Sequence, residues 1–266
     1  MSTASGRVVV VTGGTRGIGL GLAREFLARG CRVVVCGRTQ SSVDQGLAAL
    51  SAGDRATGLA TDVTDRASVQ ALWDHAVATF GRVDVWVNNA GISAPKRDIV
   101  DMAQEVVEDV FKVNVVGTHN GCAVAAKGME AQGGGFVWNM EGFGSDGRVQ
   151  AGIGIYGSSK RALRYLTEAL VKEHKESSVK FGFLSPGIVV TDLLVGDYAD
   201  DPEGFDKAKK IFNILGDKVE TVTPVLAEKV LAAQKNGARV EWLTNAKAAK
   251  RFMTAGFTKR DLFQDA

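Results

Sequence analysis

Short runs of β-branched and other apolar residues alternate along the chain with longer stretches in which apolar side chains recur every three or four positions. The runs at 7–11, 32–36, 56–60, 83–87, 136–139, 179–184 and 239–243 predict strands. Between them, 20–28, 69–80, 104–113, 115–129, 156–174 and 224–234 carry the helical period. Strands that alternate with helices in this way predict an α/β fold: a Rossmann-type, doubly wound parallel sheet of about seven strands with helices on both faces. No repeat or low-complexity linker divides residues 1–266, which read as a single domain. One segment breaks the alternation. Residues 191–216 set Asp197, Asp200, Asp201 and Asp206 beside Ile211, Phe212, Ile214 and Leu215, and read as a mobile lid carrying a short helix.

Composition narrows the picture without changing it. With 45% hydrophobic and 23% charged residues, the 266-residue chain can bury one large core. The formal charge of +2 is scattered, with no basic block or arm, which argues against a nucleic-acid partner. Three cysteines, Cys31, Cys36 and Cys122, lack the spacing of a redox or zinc site and read as reduced, packed thiols. The apolar run ending at Val11 is too short for a signal core or a membrane span, so a cytoplasmic location is expected. His75, His119 and His174 show no metal-type spacing with acids, and no metal is expected.

The candidate chemistry begins where the first strand runs into Thr12-Gly13-Gly14-Thr15-Arg16-Gly17-Ile18-Gly19. Gly13, Gly17 and Gly19 allow a tight turn, close approach of the backbone to a pyrophosphate, and close helix packing, with the phosphates at the positive end of the helix. After the second strand, where such folds place an acid for a ribose hydroxyl or a cation for a 2′-phosphate, the chain reads Gly37-Arg38-Thr39. Arg38, with Arg16 as a second guanidinium, predicts NADPH/NADP+ over NADH. Further on, Tyr156 and Lys160 stand four apart on one helical face, separated by the small Gly157, Ser158 and Ser159. An ammonium beside a phenol favours tyrosinate, which makes Tyr156 a usable general acid or base near neutral pH.

Together with Asp62-Val63, Asn88-Asn89-Ala90-Gly91, Asn114 and Ser185-Pro186-Gly187, these motifs resemble, in order and over essentially the whole chain, the short-chain dehydrogenase/reductase superfamily. The resemblance implies that Thr15, Arg16 and Ile18 share the phosphate loop with its glycines. It implies that Asp62 and Val63 contact the adenine, and that Asn89, Ala90 and Gly91 line the middle of the cofactor. Pro186, Gly187, Ile188, Val189 and Thr191 would then support the nicotinamide, and Lys160 would bind its ribose. Tyr156 would protonate a carbonyl oxygen as hydride arrives, while Asn114 holds a water linking Lys160 to solvent. The family also implies a homodimer or homotetramer built on the helices at 115–129 and 156–174.

One departure stands out. The family's substrate-binding serine lies thirteen residues before the tyrosine, where this chain has Phe143; alignment on the strand end at Asn139 instead puts Glu141-Gly142 at the usual serine pair. Removing such a donor costs about 3 to 4 kcal/mol of transition-state stabilisation. Ser145 can replace it from a loop of altered length, Glu141 can do so when protonated, or Glu141 is a structural acid. The stretch Asn139-Met140-Glu141-Gly142-Phe143-Gly144-Ser145-Asp146-Gly147 resembles the loop of the chlorophyll b reductase branch, and so do Thr191-Asp192-Leu193-Leu194 and Lys210-Ile211-Phe212-Asn213-Ile214-Leu215. That resemblance implies reduction of the 7-formyl group of chlorophyll b or chlorophyllide b; on the lid, Leu193, Leu194, Ile211, Phe212 and Leu215 either cover the apolar substrate or dock the lid helix on the core. Alternatives are reduction of another ketone, aldehyde or 3-oxoacyl group, or a non-catalytic NADP-binding sensor.

Overall fold

The computed structural model describes residues 5–196, 198, 201–257 and 260–263. Its strands, in chain order, are β1 (Val8–Val11), β2 (Arg32–Gly37), β3 (Ala56–Ala60), β4 (Val85–Asn88), β5 (Gly135–Met140), β6 (Val179–Ser185), β7 (Val189–Val190), β8 (Asp217–Lys218) and β9 (Arg239–Glu241). Seven of them form one parallel sheet in the order β3-β2-β1-β4-β5-β6-β9, and β7 pairs with β8 in a small separate ribbon. β1 is four consecutive buried valines because it lies in the middle of this sheet with both faces covered. Val9 and Val11 join the core formed with Leu22, Phe26, Leu226 and Val230, whereas Val10 faces Leu72, Val124 and Met129. The period of two in a strand thus assigns α1 (Gly17–Ala28) and the C-terminal-half helix 219–232 to one face. It assigns 66–80 and 118–131 to the other.

The remaining helices in chain order are α2 (Gln40–Leu50), α3 (Arg66–Phe80), α4 (Gln104–Phe111), α5 (Thr118–Ala131), α6 (Gly154–Glu173), α7 (Asp192–Gly196), α8 (Pro202–Leu215), α9 (Val219–Ala232) and α10 (Asn245–Thr254). Two are absent from the periodicity. α2 buries only Val43 and Gly46, and α10 buries no residue, so neither writes an apolar stripe into the sequence. The predicted break between 104–113 and 115–129 is instead a π-helical step at Lys112–Gly117 that joins α4 to α5. Residues 191–216 hold two helices, one of them the 14-residue α8, rather than a single short one. Asp197 and Asp200 of this segment lie outside the described residues.

The chain's C-terminal part closes over α8. Asp217, almost wholly buried, accepts from the Trp242 indole at 2.6 Å, Arg251 at 3.0 Å and Arg260 at 2.6 Å. The same arginines donate to the carbonyls of Leu215 (2.9 Å) and Gly216 (2.8 Å), where α8 ends and its last carbonyls lack helical partners. Phe263 packs on Phe205 and Phe212 of α8. Among the described residues no helix is long and apolar enough to cross a membrane.

Candidate active site

The strand order reverses between β1 and β4, and the carboxyl ends of these two strands open the crevice in which open α/β sheets bind ligands. One threonine ties the two loops together. The Thr12 hydroxyl accepts from the main-chain nitrogens of Asn89 and Ala90, both at 3.0 Å. In return the Asn89 amide donates to the carbonyls of Thr12 at 2.9 Å and Gly13 at 3.1 Å. Sequence reasoning gave Thr12 no part in this; only its position at the strand end could have signalled it.

The loop fits a dinucleotide pyrophosphate. Gly17 adopts φ +53 with only the Thr191 side chain near, at 3.6 Å from a would-be Cβ, so the loop backbone is open to a ligand. Gly19 has no such freedom: a Cβ there would meet the Gly13 carbonyl at 2.2 Å, which is the close turn-to-helix packing expected of it. α1 starts at Gly17 with no side-chain cap and no acid in its first turn, leaving its free N–H groups and positive dipole end for an anion. At the end of β2, Gly37 packs against Thr15, so the exposed Arg16 and Arg38 rise from adjoining loops. Asp62 is exposed and turns its carboxylate on Thr64 at 2.9 Å, while Val63 packs on Gly117. A cavity of about 260 Å³ continues from Arg16 past Ile92 and Ser93 to Asp192 and Leu193 of α7. Pro186 is buried, Gly187 holds φ +71, and the Ile188 carbonyl accepts from Asp217 at 3.0 Å, which fixes β7 and Thr191 beside the glycine loop.

The structure brings Asn114, Tyr156 and Lys160 together. The Asn114 side chain spans Ile92, accepting from its nitrogen at 2.9 Å and donating to its carbonyl at 2.9 Å, and donates to Ser159 at 3.0 Å. Both of its N–H groups and one lone pair of its oxygen thus join the loop after β4 to α6. Lys160 Nζ is buried, lies 5.7 Å from the centre of the Tyr156 ring, and donates to the Met140 carbonyl at 3.2 Å. Burial pushes its pKa down to about 8, against the opposing pull of Glu141.

The altered loop after β5 resolves which alignment holds. A Cβ on Gly142 would stand 2.3 Å from the Tyr156 hydroxyl and 3.2 Å from Lys160 Cε, whereas Phe143 is 37% exposed. Gly142 therefore occupies the place beside the tyrosine. Glu141 is engaged in an ion pair: its buried oxygens accept from both terminal nitrogens of Arg239, one at 3.1 Å. An ion pair in which the carboxylate is the acceptor leaves no proton for a substrate oxygen. Ser145 is buried in the same turn, its nitrogen bonded to the Gly142 carbonyl at 3.2 Å. Arg239, at the start of the last strand, carried no signal in the sequence.

A reversal crevice lined by a glycine turn, with a half-buried tyrosine beside a buried lysine at its inner end, defines a dinucleotide-dependent oxidoreductase site. The chain belongs to the short chain dehydrogenase family, whose pattern it matches over residues 7–201. It is 31% identical to a probable chlorophyll(ide) b reductase of Arabidopsis thaliana over 98% of this chain and 55% of that protein. It is 33% identical to a second chlorophyll(ide) b reductase of the same plant, over 90% of this chain and 71% of that one. A 3alpha-hydroxysteroid dehydrogenase of Mediterraneibacter gnavus is 34% identical over 71% of this chain and 76% of its own. The chain thus spans about half the length of the first of these relatives. Among solved structures, a 7 alpha-hydroxysteroid dehydrogenase complexed with NADH and a 7-oxo bile acid shares the fold, with a TM-score of 0.79 at 24% identity over 91% of this chain and 94% of its own.

Proposed function

We propose that the protein is an NADPH-dependent reductase of a large apolar carbonyl compound, with the formyl group of chlorophyll b or chlorophyllide b as its substrate. The reaction class is carried by one observation, the Tyr156 ring lying 5.7 Å from the Nζ of a buried Lys160 at the end of the dinucleotide crevice. Bound NADPH supplies the hydride to the carbonyl carbon. Tyr156 gives its proton to the carbonyl oxygen, Lys160 favours the tyrosinate left behind and holds the nicotinamide ribose, and Ser145 donates to the substrate oxygen. Asn114, whose side chain is anchored on Ile92 and Ser159, is the residue we assign to hold the relay water. NADPH over NADH rests on Arg16 and Arg38, exposed on two adjoining loops and able to take a 2′-phosphate, with Asp62 engaged on Thr64. The apolar substrate rests on the exposed Phe143, Leu193 and Ile211, and on the two chlorophyll(ide) b reductases matched over nearly all of this chain. Phe212, by contrast, is buried against Tyr198 and Phe263 and serves to seat α8.

The test is NADPH oxidation by the purified protein with chlorophyll b, chlorophyllide b and a panel of smaller aldehydes and ketones, the pigments separated by chromatography. Formation of the hydroxymethyl pigment is expected, and Tyr156→Phe should reduce turnover about 10³-fold with NADPH affinity preserved. Turnover of a small carbonyl with silence on both pigments moves the substrate to the hydroxysteroid-like alternatives. NADPH binding without turnover of any carbonyl would establish a sensor.

A further inference from the structure

The peptide unit between Met140 and Glu141 is held at each of its polar atoms. Its carbonyl accepts from Lys160 Nζ at 3.2 Å, and its N–H donates to the Leu184 carbonyl at 2.8 Å. The side chain that follows is held as firmly. Arg239 of β9 passes over the ring of Phe183, 4.6 Å from its centre, crossing β6 to grip Glu141 with two nitrogens. The Glu141 side chain is 1% exposed and that of Arg239 31%. A buried ion pair is an uncertain source of stability, because desolvation offsets most of the attraction, so its cost points to another role.

We propose that Glu141, clamped by Arg239, is a positioning residue for Lys160: the pair fixes the carbonyl on which the lysine rests and supplies the anion that keeps its amine charged. This inference rests on the Tyr156 and Lys160 assignment above. The charged groups around Lys160 are few. Glu141 directly follows the carbonyl that Lys160 holds, its carboxylate turned to Arg239 on β9, and Arg164 on α6 also lies in the field of Glu141. Tyr156 faces it from α6, and the uncharged Gly91 and Asn114 close the remaining side. Glu141 is thus the nearby anion that opposes the desolvation of the lysine. A serine pair at the same two positions would leave that role unfilled.

The proposal is tested on the full-length free enzyme by titrating the Lys160 side chain, using the NMR signal of its ¹³C-labelled ε-methylene group assigned with Lys160→Arg. Glu141→Gln should lower the titration midpoint, near 8 in the native protein, by about one pH unit, since an adjacent opposite charge moves a pKa by at least that much. The double variant Glu141→Gln/Arg239→Gln removes the arginine's charge together with its partner's and guards against simple misfolding; its midpoint should fall by about half a unit or more. Glu141→Asp, which keeps the charge, should restore the native midpoint. The alkaline limb of kcat/KM for NADPH-dependent reduction should move with the midpoint. A Lys160 midpoint unchanged in folded variants, or a uniform loss of rate with the pH profile intact, overturns the proposal. Because the midpoint is read without turnover, these outcomes are separate from the Tyr156→Phe result on which the catalytic assignment stands.

Discussion

Gly142 decides how the site does without the usual serine. Restoring the hydroxyl by Gly142→Ser would put a Cβ at 2.3 Å from the Tyr156 oxygen, displacing the proton donor it was meant to assist. The substitution should therefore lower kcat about tenfold or more instead of raising it, a loss read directly in steady-state kinetics with NADPH. Ser145→Ala is the complementary change: loss of a substrate-oxygen donor should cost about 10²-fold in kcat and leave NADPH affinity as it was. At the other end of the crevice, Arg38→Asp should shift preference toward NADH, measured as the ratio of kcat/KM for the two nucleotides, and an unchanged ratio refutes a 2′-phosphate contact. These residues differ in how far the sequence exposed them. The glycine turn, Tyr156 and Lys160 announce themselves by spacing along one strand end or one helix face. Spacing also flags Glu141-Gly142 at the usual serine pair but not what they do: Gly142 makes room for the Tyr156 hydroxyl, and the role of Glu141 depends on Arg239, about a hundred residues away in sequence and brought near by sheet order.

Among the elements, the π-helical step at Lys112–Gly117 joins the scaffold to the chemistry. The extra residue in that turn rotates Asn114 into the space between the loop after β4 and α6, where it bonds to both Ile92 polar groups and to Ser159. Asn114→Ala would leave buried partners unpaired and should destabilise the fold by about 2 to 3 kcal/mol, seen as a lower urea midpoint with little change in slope. Such a step cannot be read from periodicity. It shifts the helical phase by one residue, so the apolar pattern shows two helices where one continuous rod with a kink exists. The central strands were legible for the opposite reason: burial on both faces writes an unbroken valine run such as Val8–Val11. α2 and α10 were illegible because helices that bury little leave little pattern.

For the molecule as a whole, the C-terminal chain acts as a strap that holds the segment beside the crevice. Asp217 gathers Trp242, Arg251 and Arg260 onto the junction between α8 and α9, and the two arginines cap the end of α8 from residues far along the chain. Burial alone would raise the Asp217 carboxyl, but its bonds to Arg251 and Trp242 outweigh that and hold it below the usual carboxylate range. A group whose folded pKa is depressed contributes stability above its unfolded value and loses that contribution as pH falls through the folded one. The strap should accordingly hold at neutral pH and release only as pH falls below the usual carboxylate range, where the proton taken up costs the ion pairs. Because Arg251 and Arg260 are partly exposed, at 19% and 27%, the loss on Asp217→Asn is discounted from a fully buried pair to about 2 kcal/mol, or roughly 4 to 8 °C in Tm. Limited proteolysis should show where the loss falls. If the strap secures α8, cleavage in Asp217→Asn begins near 245–263 and around α8 while the sheet core survives, whereas cleavage spread evenly along the chain would mean that Asp217 supports the whole fold and not this segment.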